Sequence, residues 1–213
     1  MNRPTRLMTA ALVASAALLL TACGSGGSDN ADKVKGAGDG DEKASRSGDA
    51  TSQPDGSKRP EIKLPKSFQV DFTGWKNGDP ELQAIMDDGK ERLLSSYSAI
   101  IKRDPQYDGF TFYNTNDALR TGTTWIKQFT DDNQTLIGKV RVFQPQPRIS
   151  PDGSGTLFYC VDESNASTKH RKTGEVTTTP VKGALLLYRT KLSKTDEGVW
   201  KTTTVQTEQG ACK

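Results

Sequence analysis

The chain has 213 residues, of which 29 are Lys or Arg and 26 are Asp or Glu, for a formal net charge of +3. Two of the cations, Arg3 and Arg6, lie in a segment that export would remove, so the mature chain is close to neutral. That argues against a nucleic-acid binder, which would carry a concentrated basic face.

Residues 1–22 read as a signal peptide. Arg3 and Arg6 make a positive n-region, and Leu7 to Leu20 make an apolar run of about fourteen residues, in the range of a signal h-region. A spanning helix needs roughly 20 apolar residues, so this run is too short to cross a membrane. Leu20-Thr21-Ala22-Cys23 resembles the bacterial lipobox. The resemblance implies that Cys23 takes a diacylglyceryl group, becomes the mature N-terminus and anchors the protein to the extracytoplasmic face of the cell membrane. Two acyl chains give stable anchoring where one is marginal. The alternative is an ordinary small-residue cleavage site followed by a cysteine.

Residues 23–60 are rich in Gly, Ser, Asp and Lys and cannot bury enough apolar surface to offset their ordering entropy. They read as a disordered tether with a typical reach of about 30–35 Å. Residues 61–213 are long enough for one globular domain with a real core.

Within that domain Phe68, Val70 and Phe72 alternate as in a short strand. Asp79-Pro80-Glu81 offers a helix start, with a cap, a first-turn proline and an acid at the positive end of the dipole. Leu82, Ile85, Met86, Leu93, Tyr97 and Ile100 then fall on one helical face, with Asp87, Asp88, Glu91, Ser95 and Lys102 outside it. Asp104-Pro105 ends that helix. A second helix is expected over 115–131 from Leu119, Trp125, Ile126 and Phe129. Strands follow in LIGKVRVF, with a bulge or edge at Pro145-Gln146-Pro147, and in TLFYCVD, VKGALLLYRTKL and VWKTTTVQT. SNASTKHRKTGE reads as a polar loop, and Ala184 to Tyr188, apolar on both faces, as a central strand.

Helices followed by long strands imply an α+β domain with helices on one face of a curved antiparallel sheet. The stretch LPKSFQVDFTGWKNGDPELQAIMDDGKERLLSSYSAI, then CVDES and the closing Trp–strand–Cys ending, resembles secreted lipoproteins of actinobacteria. The resemblance implies a C-terminal domain similar to the nuclear transport factor 2-like cone, and supplies no catalytic or ligand residues.

Cys160 and Cys212 are the cysteines left once Cys23 is set aside. In an exported protein they most simply pair with each other. Free or intermolecular thiols are the alternative. Two cysteines and a remote histidine fall short of a metal ligand set, and no cofactor is expected.

Cones of this kind include isomerases, dehydratases and cyclases, which place an acid–base pair in an apolar cavity. His170 sits among cations in Lys169-His170-Arg171-Lys172, and Asp104 and Asp108 flank a helix end, so neither supplies such a pair. The basic cluster reads as a solvated loop tip, with contact to anionic wall polymers as the other option. Tyr97, Trp125, Tyr159 and Tyr188, with Trp200, are core or the lining of a pocket. The expectation is therefore a non-catalytic binding or interaction module, whose partner is an envelope protein or a small apolar ligand. An isomerase, dehydratase or cyclase, or a regulatory subunit of a cell-envelope complex, is the alternative. The enzyme reading needs a carboxylate or histidine facing the cavity.

Overall fold

The computed structural model describes residues 58–212. Cys23, the signal segment and most of the expected tether lie outside the described residues. Among the described residues no helix is long and apolar enough to cross a membrane.

The chain order is β1 (Phe68–Phe72), α1 (Pro80–Lys102), α2 (Asp108–Tyr113), α3 (Asn116–Asp131), β2 (Gln134–Ile149), β3 (Gly155–His170), β4 (Val176–Thr178), β5 (Leu185–Lys194) and β6 (Trp200–Gln209). One sheet of six strands runs β1-β2-β3-β5-β6, with β4 paired to β3. The helices pack against it, so the expected α+β class and cone-like arrangement are those observed. β5 lies between β3 and β6, an interior place that suits its apolar run.

Helix α1 starts as its sequence dictates. The Asp79 carboxylate accepts from the N–H groups of Glu81 and Leu82 at 2.8 and 3.1 Å, and Pro80 opens the first turn. At the other end Arg103 turns left-handed, with φ of 60°. The last turn has a second partner that sequence did not suggest. Arg171 donates through Nη2 to the carbonyls of Ile100 and Ile101, both at 2.9 Å, and through Nε to that of Gln134. A guanidinium there satisfies orphan carbonyls and opposes the negative end of the dipole.

Four sequence expectations need correction. The sheet is mixed, because β1 pairs parallel with β2. SNASTKHRKTGE is not a loop throughout: β3 continues to His170 against β2 and β4, and only the turn beyond it is irregular. Ladder hydrogen bonds on both sides override the weak strand propensity of Ser, Asn and Lys. β2 also runs on through both prolines, past the expected end of LIGKVRVF, although the expected bulge and edge are both there. β1 covers it only as far as Val142, so Pro145 and Pro147 lie where β2 is itself an edge, next to a register shift between Phe143 and Gln146. Finally, Asp88 and Ser95, expected outside the buried stripe of α1, are 1% and 0% exposed. The helix is covered on more than one face because α2, α3 and the sheet all meet it. The short helix α2 had no sequence signal.

The pairing of β2 with β3 depends on one glycine, next to a register shift between Lys139 and Arg141. Gly138 has φ of 96°, and a Cβ there would lie 2.3 Å from the Asn165 carbonyl oxygen of β3. Only glycine allows this approach. Cys160 and Cys212 form a disulfide with Cα atoms 6.0 Å apart. It ties the tail beyond edge strand β6 to β3, across β5.

Candidate functional site

A cavity of about 360 Å³ lies between α1, α3 and the concave sheet. Strand alternation and helical spacing decide its walls. From α1 come Arg92, Leu93, Ser96 and Tyr97; from α3 come Thr121, Trp125 and Phe129, one turn apart along one face. Leu136 and Val140 of β2, Glu163 of β3, Leu186 and Tyr188 of β5, and Val205 of β6 line the sheet side.

Tyr97, Trp125 and Tyr188 thus line one cavity from different sides. Tyr159 does not line it: the ring stands behind Tyr188, stacked at a centroid distance of 5.1 Å, with Trp75 edge-on to its other side at 5.6 Å. Tyr159 and Tyr188 are direct cross-strand partners, and such aromatic pairs stabilise sheets. Trp200 is fully buried core. His170 lies at the end of β3, where its Nδ1 meets Thr173, and Asp104 accepts from the Gln106 N–H in a turn. Neither lines the cavity.

The charged groups of the site are two that the sequence reading passed over, Arg92 and Glu163. Arg92 is 6% exposed. Its Nε donates to Asn114 Oδ1 at 3.0 Å, and the Asn114 amide is oriented in turn by donating to the Phe110 carbonyl at 2.8 Å. Asn114 is fixed by bridging to Thr202 of β6. The guanidinium lies close enough to the Tyr159 phenol to oppose the effect of burial on it, although the hydroxyl makes no hydrogen bond of ordinary geometry. Among the described residues no carboxylate lies within ion-pair distance of Arg92.

Glu163 receives a long contact from the Tyr97 hydroxyl, 3.5 Å to Oε1. Burial pushes its carboxyl pKa above the usual 4.5, with the Tyr97 contact opposing the shift. Burial also raises the phenols of Tyr97 and Tyr188, and the Glu163 charge adds to the rise in both. Both tyrosines are therefore neutral donors at physiological pH.

A signal for Glu163 did exist in the sequence. Extending the TLFYCVD alternation places Leu157, Tyr159, Val161 and Glu163 on one face of β3. Arg92 had no comparable signal, since a single arginine beside an apolar helical stripe ordinarily reaches water.

A raised carboxyl pKa has a testable consequence. The folded state holds the Glu163 proton more tightly than the unfolded chain, so stability falls as pH rises past about 4.5 toward the raised value. Glu163→Gln removes that loss. In thermal melts the variant is expected above wild type near neutral pH and level with it below the ordinary glutamate value. A variant that melts lower at neutral pH would contradict a buried, poorly compensated carboxylate. Glu91 is raised by burial too, but it is common to both proteins and cancels from the comparison.

No protein-family model matches the chain. No curated protein matches it either. Among solved structures it is similar to Aln2 from a Streptomyces species, with 14% identity over 63% of this chain and 94% of that one, at a TM-score of 0.43. A ketosteroid isomerase-like protein from Erwinia carotovora atroseptica gives 12% identity over 63% and 99%, at 0.43. ActVI-ORFA from Streptomyces coelicolor gives 13% over 59% and 98%, at 0.38. Likenesses of this order say nothing of a substrate.

Proposed function

We propose that the protein is a membrane-anchored extracytoplasmic lipoprotein, similar to those of actinobacteria, whose cone domain binds a small, largely apolar molecule without turning it over. The observation that carries the binding reading is the cavity itself. Its volume of about 360 Å³ falls in the range of small-molecule sites, and its apolar and aromatic walls carry a few convergent polar groups. Burial leaves Glu163 destabilising at neutral pH, and such groups are found where function requires them. Titration calorimetry with 1-naphthamide, a neutral bicyclic probe, tests the reading. Saturable binding is expected, and the wall variant Thr121→Trp should abolish it by filling the cavity. Absence of binding, or binding unaffected by the filled cavity, would remove the basis for the assignment.

The anchor rests on the sequence around Cys23. A disulfide in the domain accords with an oxidising compartment. Mass spectrometry and membrane fractionation of wild type and Cys23→Ala test it: a diacylated, membrane-bound wild type and an unmodified variant are expected. A soluble, unmodified wild type would sink the anchor.

One observation favours a second reading, an acid–base enzyme of the isomerase, dehydratase or cyclase type. Glu163 is a carboxyl of raised pKa facing an apolar cavity, beside a phenol donor. If it abstracts protons, the protein will speed exchange of the α-protons of 2-tetralone in D₂O, and Glu163→Gln will not. Equal rates with and without protein favour the binding module.

A further inference from the structure

Arg92 is the group in the cavity whose chemistry the fold leaves unfinished. A buried guanidinium is costly unless its charge is matched and its donors are used. Arg92 presents five N–H donors in a planar fork. One of them, on Nε, is committed to Asn114 Oδ1, an acceptor that carries no charge. Beyond it the guanidinium meets only the uncharged Tyr159 hydroxyl, without a hydrogen bond of ordinary geometry, so Nη1 and Nη2 have no charged acceptor among the described residues. The side chain is more than nine-tenths buried and lines the cavity. Of the carboxylates on α1, Asp88 is engaged with Arg59 and the Trp200 N–H, Asp87 with Gln83 and Glu81 with Lys194, and Glu91 makes no ion pair with Arg92.

Holding Nε leaves the two Nη groups as the free edge of the fork. Asn114 is itself fixed at both ends, by the Phe110 carbonyl and by the Thr202 bridge, so that edge is pre-oriented. A carboxylate matches such an edge with two parallel hydrogen bonds. Tyr97 from the helix side and Tyr188 from the sheet side add neutral hydroxyl donors, while Trp125, Phe129, Leu136 and Val140 offer apolar surface to the rest of a ligand.

We propose that the cavity takes an apolar monocarboxylate, an aromatic or short aliphatic acid, whose carboxylate pairs with the Nη groups of Arg92. The assignment rests on the binding reading above and specifies its ligand class. Burial already raises the Glu163 carboxyl pKa, and an anion bound beside it would raise it further.

The test compares 1-naphthoate with 1-naphthamide, which have the same shape and differ in charge, by calorimetry on the wild-type protein. Naphthoate is expected to bind tighter by about tenfold or more, the order of charge-assisted hydrogen bonds. In Arg92→Gln the preference should vanish while naphthamide still binds, and Arg92→Lys should restore part of it. Should Arg92→Gln fail to fold, the wild-type pair of titrations still decides. Equal affinity for the two probes in wild type overturns the carboxylate assignment and leaves the binding module standing. A preference that survives in Arg92→Gln overturns the role of Arg92. Binding of neither probe overturns both readings.

Discussion

Replacing both Cys160 and Cys212 with serine is expected to remove about 4 kcal/mol of stability in the chain-entropy account of cross-links, for a closed loop spanning 52 residues. For a domain of this size that corresponds to a melting point lower by roughly 8–16 °C. The loss should come as easier unfolding rather than altered shape, since β6 keeps its ladder with β5 from Leu186 to Lys194. Dithiothreitol applied to wild type should reproduce the double variant, and the double variant should not respond to it. A melting point unchanged by either treatment would mean that the bridge constrains nothing the ladder does not already hold. The position of the bridge gives a reason to expect otherwise. β6 is an edge strand, and the bridge clamps the chain just beyond it to β3, on the far side of β5.

Asp88→Ala should be the most damaging single substitution away from the apolar core. Asp88 is 1% exposed and accepts from Arg59 Nε and Nη2, at 2.8 and 3.2 Å, and from the Trp200 N–H at 2.8 Å. One carboxylate thus joins α1, the first residue of β6 and the segment that enters the domain. Truncation strands a buried backbone donor and uncouples a guanidinium. Breaking one side of a buried pair costs about 3–5 kcal/mol, and because Arg59 is partly exposed the lower end applies here. Asp88→Asn, which keeps an acceptor for the Trp200 N–H, should cost less than half as much. Chemical denaturation of the two variants checks the order, and equal losses would show that the charge matters and the backbone bond does not. The contact also moves a boundary: Arg59, within the expected tether, already docks on the domain.

Those two sites show which features the sequence made legible. The pairing of Cys160 with Cys212 followed from compartment and parity, arguments that need no coordinates. Helix α1 followed from Asp79, Pro80 and an apolar period, because caps and periodicity are local. Asp88 was misplaced because its burial depends on Trp200 and Arg59, which approach from distant parts of the chain. The same holds for Arg171, which reads as one cation in a basic loop until the end of α1 is brought against it. The polar run after Val161 looked like a loop because its residues favour no strand on their own. Neighbouring strands on both sides impose the ladder. Glu163 was lost with that error, since a strand thought to end at Asp162 cannot place the next residue on the cavity wall. Arg92 needed the whole cone: its unmatched charge is visible only once every neighbouring carboxylate has a location.

The central claim is that this cavity binds a ligand, and the three tryptophans of the chain can test it together. Trp125 stands on the cavity wall, whereas Trp75 donates its indole N–H to the Met86 carbonyl and Trp200 is sealed in the core. In ¹⁵N-labelled protein each indole N–H gives its own resonance. Titration with 1-naphthoate is predicted to move the Trp125 signal progressively to saturation, while those of Trp75 and Trp200 move far less. A Trp125 signal that stays in place, or three indole signals that move alike, would contradict the account.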